Sequence, residues 1–255
     1  MFDPFKDFDQ VGYLRNRFEE KDPEIIRELE HTMFRAGLDE ALTYVAKRKT
    51  LVYGDFLAVH RLLFFAFYPW AGQDRAATVP NSAVSKGSTM FCHPLDARRA
   101  VEQGLRIGQD KAALRQRPGE VMGWFAYGHP FLDGNGRTML IIHSELCHRA
   151  GFCIEWQHTS KDDYLTALSA EISSPGQGHL DCYLRPFIGA SRGRGLWGSA
   201  IDGIQGLDGR SIQNTVEGEY SDARVQQKYQ AFEMNRARAA ADPRQCAGRA
   251  EWHSE

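Results

Sequence analysis

His129, Asp133 and Arg137 fall at four-residue intervals in the stretch HPFLDGNGRTML, residues 129–140. An imidazole takes up a proton near neutral pH. A carboxylate at the rim of a turn suits a hard divalent cation, and a guanidinium clamps phosphate oxygens. Gly134 and Gly136, between the acid and the cation, permit positive φ, so consecutive amides can point into one concavity. The apolar run opening at Arg137 reads as a helix whose positive end adds to the same spot. Asn135 completes this cradle, and Phe131 reads as the loop's anchor in the core. Each piece alone has an ordinary structural reading: a surface histidine, a DG turn, a base opening a helix. Their order directly before an apolar helix favours chemistry. A base, a metal ligand and a phosphate cradle describe phosphoryl or nucleotidyl transfer to a hydroxyl.

The elements that must position these groups read as helices. Asp22-Pro23-Glu24 opens one, with Ile25, Ile26, Leu29, Met33 and Phe34 at helical spacing. A second starts after Gly54-Asp55; its second half is apolar on nearly every side, which predicts a central buried helix. Residues 74–93 mix strand formers (Thr78, Val79, Val84, Thr89, Phe91) with turn pairs at Pro80-Asn81 and Lys86-Gly87, predicting one short hairpin. Helical patterns return near 95–116, 119–128, 137–150, 162–173 and 179–188, with Gly151 capping the third and Asp162-Asp163 the fourth. Seven glycines between 189 and 209 predict a linker or irregular loop. A last amphipathic helix carries Val225, Tyr229 and Phe232, and the chain reads as frayed from about Ala239. The fold class is all-α with a small β flap. The divisions are a helical extension over 1–50, a core over 51–189, a linker over 190–210 and a helical C-terminal segment over 211–255.

The chain has 255 residues, a net charge of −2 and 42% hydrophobic residues. That is ordinary for a globular protein and supplies no global field for nucleic acid. Arginines 236, 238, 244 and 249 read as a solvated face. No apolar run reaches membrane-spanning length, and MFDPFKDFDQ is too acidic for a signal peptide. Five cysteines without CxxC spacing read as reduced thiols, so a cytoplasmic location is expected, compatible with leaderless export into a host cell. His143, His148, Cys147 and Cys153 lack the paired spacing of a metal site.

HPFLDGNGR resembles the signature of the Fic family, HPFx(D/E)GN(G/K)R, at every specified position. LAVHRLLFFAFYPWAGQDR (57–75) is similar to the family's helix ending in a W-A-G-x-x-R turn, SKGSTMF (85–91) to its flap, and HTSKDDYLTAL (158–168) to its following helix. The resemblance runs from about Leu51 to Gly189 and implies a Fic-fold helical bundle with a short β-hairpin flap. It also implies AMP transfer from Mg²⁺-ATP to a Tyr, Thr or Ser hydroxyl of a target protein, with a small antitoxin as a further partner. His129 would be the general base and Asp133 the Mg²⁺ ligand. Gly134, Asn135 and Gly136 would cradle the phosphates and Arg137 would stabilise pyrophosphate. Lys86, Gly87 and Thr89 of the flap would pair with the target's backbone.

Two departures bear on this. Family members that transfer AMP commonly continue RxxR, but Leu140 stands where the second arginine would be. A charge-assisted hydrogen bond contributes about 1.5–3 kcal/mol, against a factor of roughly 10²–10⁴ for a general base. Catalysis is therefore expected to survive, and Gly134 and Gly136, where the family's γ-phosphate kinases usually show Ala and Lys, favour AMP transfer. Leu140 also resembles the family's γ-phosphate kinases, so kinase-type transfer, transfer of UMP or phosphocholine, and a non-catalytic binding module stay open. QNTVEG (213–218) offers Glu217-Gly218 as an inhibitory pair, with Gln213 where the inhibitory motif has a hydroxyl.

Overall fold

The structure, a computed structural model, describes residues 15–202, 204 and 215–242. It is mainly helical. Helix α1 (Pro23–Lys47) opens as its first residues dictate, with Asp22 accepting from the amides of Glu24 (2.8 Å) and Ile25 (3.4 Å). Its buried stripe is Ile26, Glu30, Phe34, Leu38, Ala41 and Val45, so one acid interrupts an otherwise apolar face. The residues expected to form an extension therefore pack in the same core as the rest. Helix α2 (Tyr53–Phe64) lies along α1. Phe65, just beyond it, is 53% exposed, and α2 is not the central helix its apolar second half predicts.

Arg75–Thr78 form a one-turn helix, α3, where the β-branched residues predict strand. Asp74 decides this by capping the turn, accepting from the Ala77 amide at 3.0 Å. Strands β1 (Ser82–Lys86) and β2 (Thr89–Met90) make the expected hairpin, turning at Gly87 with φ +59°. The span 95–116 is two helices, α4 (Ala97–Gly108) and α5 (Lys111–Gln116). Asp110 starts the second by accepting from Ala112 and Ala113 at 3.0 and 3.1 Å. Helix α6 (Pro118–Gly128) is the central one, touching α4, α5, α7 (Asn135–Arg149), α8 (Lys161–Ser173) and α9 (His179–Leu184). Gly151, at φ +79°, follows α7 as expected. Ser160 caps α8 and leaves Asp162 and Asp163 in its first turn.

The later residues correct the sequence reading most. Strand β3 (Phe152–Ile154) pairs antiparallel with β4 (Ile188–Ala190). The glycine-rich stretch contains α10 (Trp197–Asp202), whose Ile201 reaches the core. The expected helical C-terminal segment begins instead with strand β5 (Thr215–Glu219), followed by α11 (Ala223–Ala241). β5 pairs with β1, giving a sheet of order β2-β1-β5. Cys92, Cys147 and Cys153 are free thiols as expected, but Cys182 is disulfide-bonded. The readings of MFDPFKDFDQ, Gln213, Arg244 and Arg249 lie outside the described residues. Among the described residues no helix is long and apolar enough to cross a membrane.

Candidate active site

The loop 129–134 leaves α6 at His129, whose amide closes that helix on Phe125 O at 3.1 Å. His129 has φ +38° and ψ 58°, left-handed values that side chains other than glycine seldom adopt. Arg75, fully buried, clamps its carbonyl side. Its Nε donates to His129 O at 2.7 Å and its Nη2 to Cys92 O at 2.9 Å, while its amide donates to Pro130 O at 2.6 Å. The imidazole lies flat on Phe91, with centroids 3.5 Å apart and planes at 5°. Main chain and ring are thus fixed by separate contacts.

Asn135 ties the loop to itself: its side chain accepts from the Phe131 amide at 2.9 Å and donates to Phe131 O at 2.7 Å. Phe131 is fully buried, as expected, and stacks on His60 at 3.8 Å. His60 Nδ1 accepts from the Gly72 amide at 2.9 Å, so its Nε2 carries the proton and donates to Asp133 O at 3.0 Å. Burial holds the His60 pKa down to about 3, keeping it a neutral strut. Gly134 is required twice over: its φ is +75°, and a Cβ there would lie 2.5 Å from Phe64 Cε2. Gly136 differs from the expectation of positive φ. It lies in the first turn of α7, and a Cβ there would meet nothing within 4 Å.

The first α7 ladder bond runs from Thr138 N to Gly134 O at 3.0 Å, so the amides of Asn135, Gly136 and Arg137 precede the ladder. They form the positive end of a fifteen-residue helix beside Asp133, whose Oδ1 accepts from the Gly134 amide at 2.6 Å. Arg137 is 7% exposed, with Nη2 2.8 Å from Glu30 Oε1 and 4.0 Å from Asp133 Oδ1. Its Nη1 is buried without a hydrogen-bond partner among the described residues. Glu30 also accepts from Tyr68 Oη at 2.8 Å. Burial raises the Glu30 pKa, against the opposing pull of the Arg137 guanidinium. Leu140 points into the core and is 6% exposed.

Phe91, just after β2, ties the flap to this loop through its stack on His129. Burial lowers the Lys86 pKa, and the charge of Asp133 opposes the shift. Thr89 is 5% exposed, so its side chain is turned inward. Glu217 accepts from Ser85 Oγ and pairs with Lys228 at 2.7 Å; the acid that meets Arg137 is Glu30. The structure therefore sets His129, Asp133, Gly134 and Arg137 along one loop and the first turn of α7, and turns the Asn135 side chain into a loop staple. The sequence reading missed Arg75, His60 and Glu30. Glu30 had a signal: four residues after Ile26 and four before Phe34, it stands on the apolar stripe of α1.

Residues 50–147 match the model of the Fic/DOC family. The chain carries a Fic/DOC-family domain. A probable protein adenylyltransferase, y4lH of Sinorhizobium fredii, is 29% identical over 169 residues, covering 63% of this chain and 83% of that protein. The protein adenylyltransferase VbhT of Bartonella schoenbuchensis is 31% identical over 118 residues, covering 43% of this chain but only 23% of VbhT. Among solved structures, an N-terminal Fic domain from Bartonella quintana with bound ADP superposes with a TM-score of 0.59. Its identity is 19%, over 75% of this chain and 98% of that one. That likeness is one of fold.

Proposed function

We propose that this Fic/DOC-domain protein is a protein adenylyltransferase, moving AMP from ATP to a hydroxyl of another protein. The observation that carries the reading is the α7 entrance. Three amides ahead of the helix ladder and a buried guanidinium with one unsatisfied nitrogen stand at the end of the loop that His129 begins. Such a place is suited to a polyphosphate. Relatives that carry the adenylyltransferase name support the choice of transferred group.

In this reading the α7 amides and Arg137 bind the phosphates and orient the α-phosphorus. His129 Nε2 accepts the acceptor's hydroxyl proton as the new P–O bond forms and pyrophosphate departs, its ring held in plane by Phe91. Arg75 is a positioning residue: it fixes the carbonyl side of His129 and touches no substrate. Asp133 would hold Mg²⁺. Its side chain is 32% exposed, and one carboxylate completed by substrate phosphates is how that ion is commonly held. The ion would supply neutralisation of phosphate charge. Backbone pairing along the flap near Lys86, Gly87 and Thr89 would set the acceptor hydroxyl in line.

ATP labelled at the α-phosphate tests this directly. The protein is expected to transfer that label to a protein acceptor in a cell lysate. Transfer of γ-label alone would replace the reading with that of a kinase, and binding of ATP without transfer of either label would leave a docking module.

A further inference from the structure

Strand β1 has two edges. One carries β2, which is only two residues long and lies alongside α8. The other carries β5 along nearly its whole length, with Ser82 opposite Glu219, Ala83 opposite Gly218, Val84 opposite Val216 and Ser85 opposite Thr215. The longer flap edge is therefore filled by the chain's own strand, drawn from more than a hundred residues downstream.

The pairing is incomplete. Its register slips between Ala83 and Val84, leaving Glu217 as the extra residue of a bulge, and Gly218 there has φ +126°. Ala83, Met90 and Val225 form a satellite cluster, separate from the main core, with Tyr220, Tyr229 and Phe232 packed against it. The Tyr220 amide donates to Asn81 O at 2.9 Å and the His93 amide to Tyr229 Oη at 3.0 Å. Helix α11 is fastened to the bundle more deeply. Tyr127 Oη donates to Glu233 at 2.7 Å, and Arg236 stacks on the Tyr127 ring at 3.5 Å and donates to Ile172 O. The helix is an anchor; the strand is a bulged, lightly packed arm reaching from it to the flap.

We infer that β5 occupies, over Ser82–Ser85, the β1 edge that continues into Lys86 and Gly87 and along which an acceptor's backbone would pair, so that acceptor and β5 exclude one another. The inference rests on the adenylyltransferase reading above. The physical argument is short. Main-chain pairing carries little sequence information, so an internal strand satisfies the edge as well as an external one. A tethered strand acts at an effective concentration in the millimolar range, above that of most protein acceptors. The bulge and the small cluster keep it displaceable.

A cross-strand lock tests this. Val84→Cys with Val216→Cys places two thiols at directly opposed positions, and oxidation would hold β5 on the flap. The full-length double variant is compared oxidised and reduced, beside wild type treated in the same way. The measurements are α-label transfer from ATP to lysate proteins and binding of ATP. The expected result is at least a tenfold fall in transfer on oxidation with ATP binding unchanged, and no such fall in wild type. Equal transfer in the two states, or a parallel loss of ATP binding, would overturn the inference alone. No transfer from wild type or the reduced variant would overturn the adenylyltransferase reading and the inference with it. A second variant works in the opposite direction: Thr215→Pro removes from β5 the amide that faces Ser85 and is expected to raise transfer several-fold. Unchanged or lower transfer would count against the inference.

Discussion

Two glutamates flank the site, each in an ion pair of nearly the same length, and they behave in opposite ways. Glu30 of α1 lies 2.8 Å from Arg137, with side-chain exposures of 4% and 8%. Glu217 of β5 lies 2.7 Å from Lys228, with exposures of 20% and 48%. Burial raises the pKa of the first; the hydrogen bonds from Lys228 and Ser85 lower that of the second. Distance therefore does not set the worth of an ion pair here; access of water does. The α1 side of the site is a rigid wall in which a charge has been committed to the core. The β5 side is an arm whose charges remain in exchange with solvent.

The comparison would break most visibly at Glu30. Glu30→Ala leaves the Arg137 cation buried and is expected to cost about 3–5 kcal/mol of stability. The double change Glu30→Met with Arg137→Met should recover most of that loss, because apolar side chains of similar volume remove the stranded charge. Urea denaturation of the three proteins checks both; a single variant as stable as wild type would show that the pair is open to water.

Asp181 sharpens the contrast, being a buried acid with no cation against it. Its Oδ1 accepts from the Gly119 amide at 2.6 Å at the start of α6, and burial pushes its pKa up to about 7, against the pull of that amide. The unfolded chain titrates near the ordinary value of 3.8, so between about pH 4 and 7 the native state binds the extra proton. This group's contribution to stability must therefore fall as pH rises through that window. Asp181→Asn keeps the acceptor and should flatten the dependence, a difference of a few kcal/mol at most. Equal slopes of stability against pH in the two proteins would contradict it.

Glu217→Gln should change least, by less than about 1 kcal/mol in thermal or urea melts, since one member of its pair is half exposed. Its effect on transfer bears on the inhibitory role expected from QNTVEG. A rise would fit a loosened β5, and an unchanged rate would remove Glu217 from any brake.

Much of this was legible in the chain, for reasons that differ by element. HPFLDGNGR is local: a histidine, an acid, a glycine forced to positive φ and the start of α7 are consecutive, so order along the chain is order in space. The Asp22-Pro23 opening of α1 is local too. Asp74 and Asp110 were capping signals that outweighed β-branched residues at Thr78 and a helical pattern read as continuous over 95–116. Contacts at long range were not legible. Arg75 reaches His129 and β5 reaches β1 through tertiary packing alone, and TVEGE says nothing of which edge it will join. Asn135 shows the middle case: its place in the motif was read, but the destination of its side chain within the loop was not.

The central claim is that His129, locked in a left-handed turn beside a preformed phosphate cradle, is the base of an AMP transfer. The direct measurement pairs α-label transfer with ATP binding in His129→Ala. Transfer should fall roughly 10²–10⁴-fold while ATP binds as in wild type. Transfer at the wild-type rate would contradict the account.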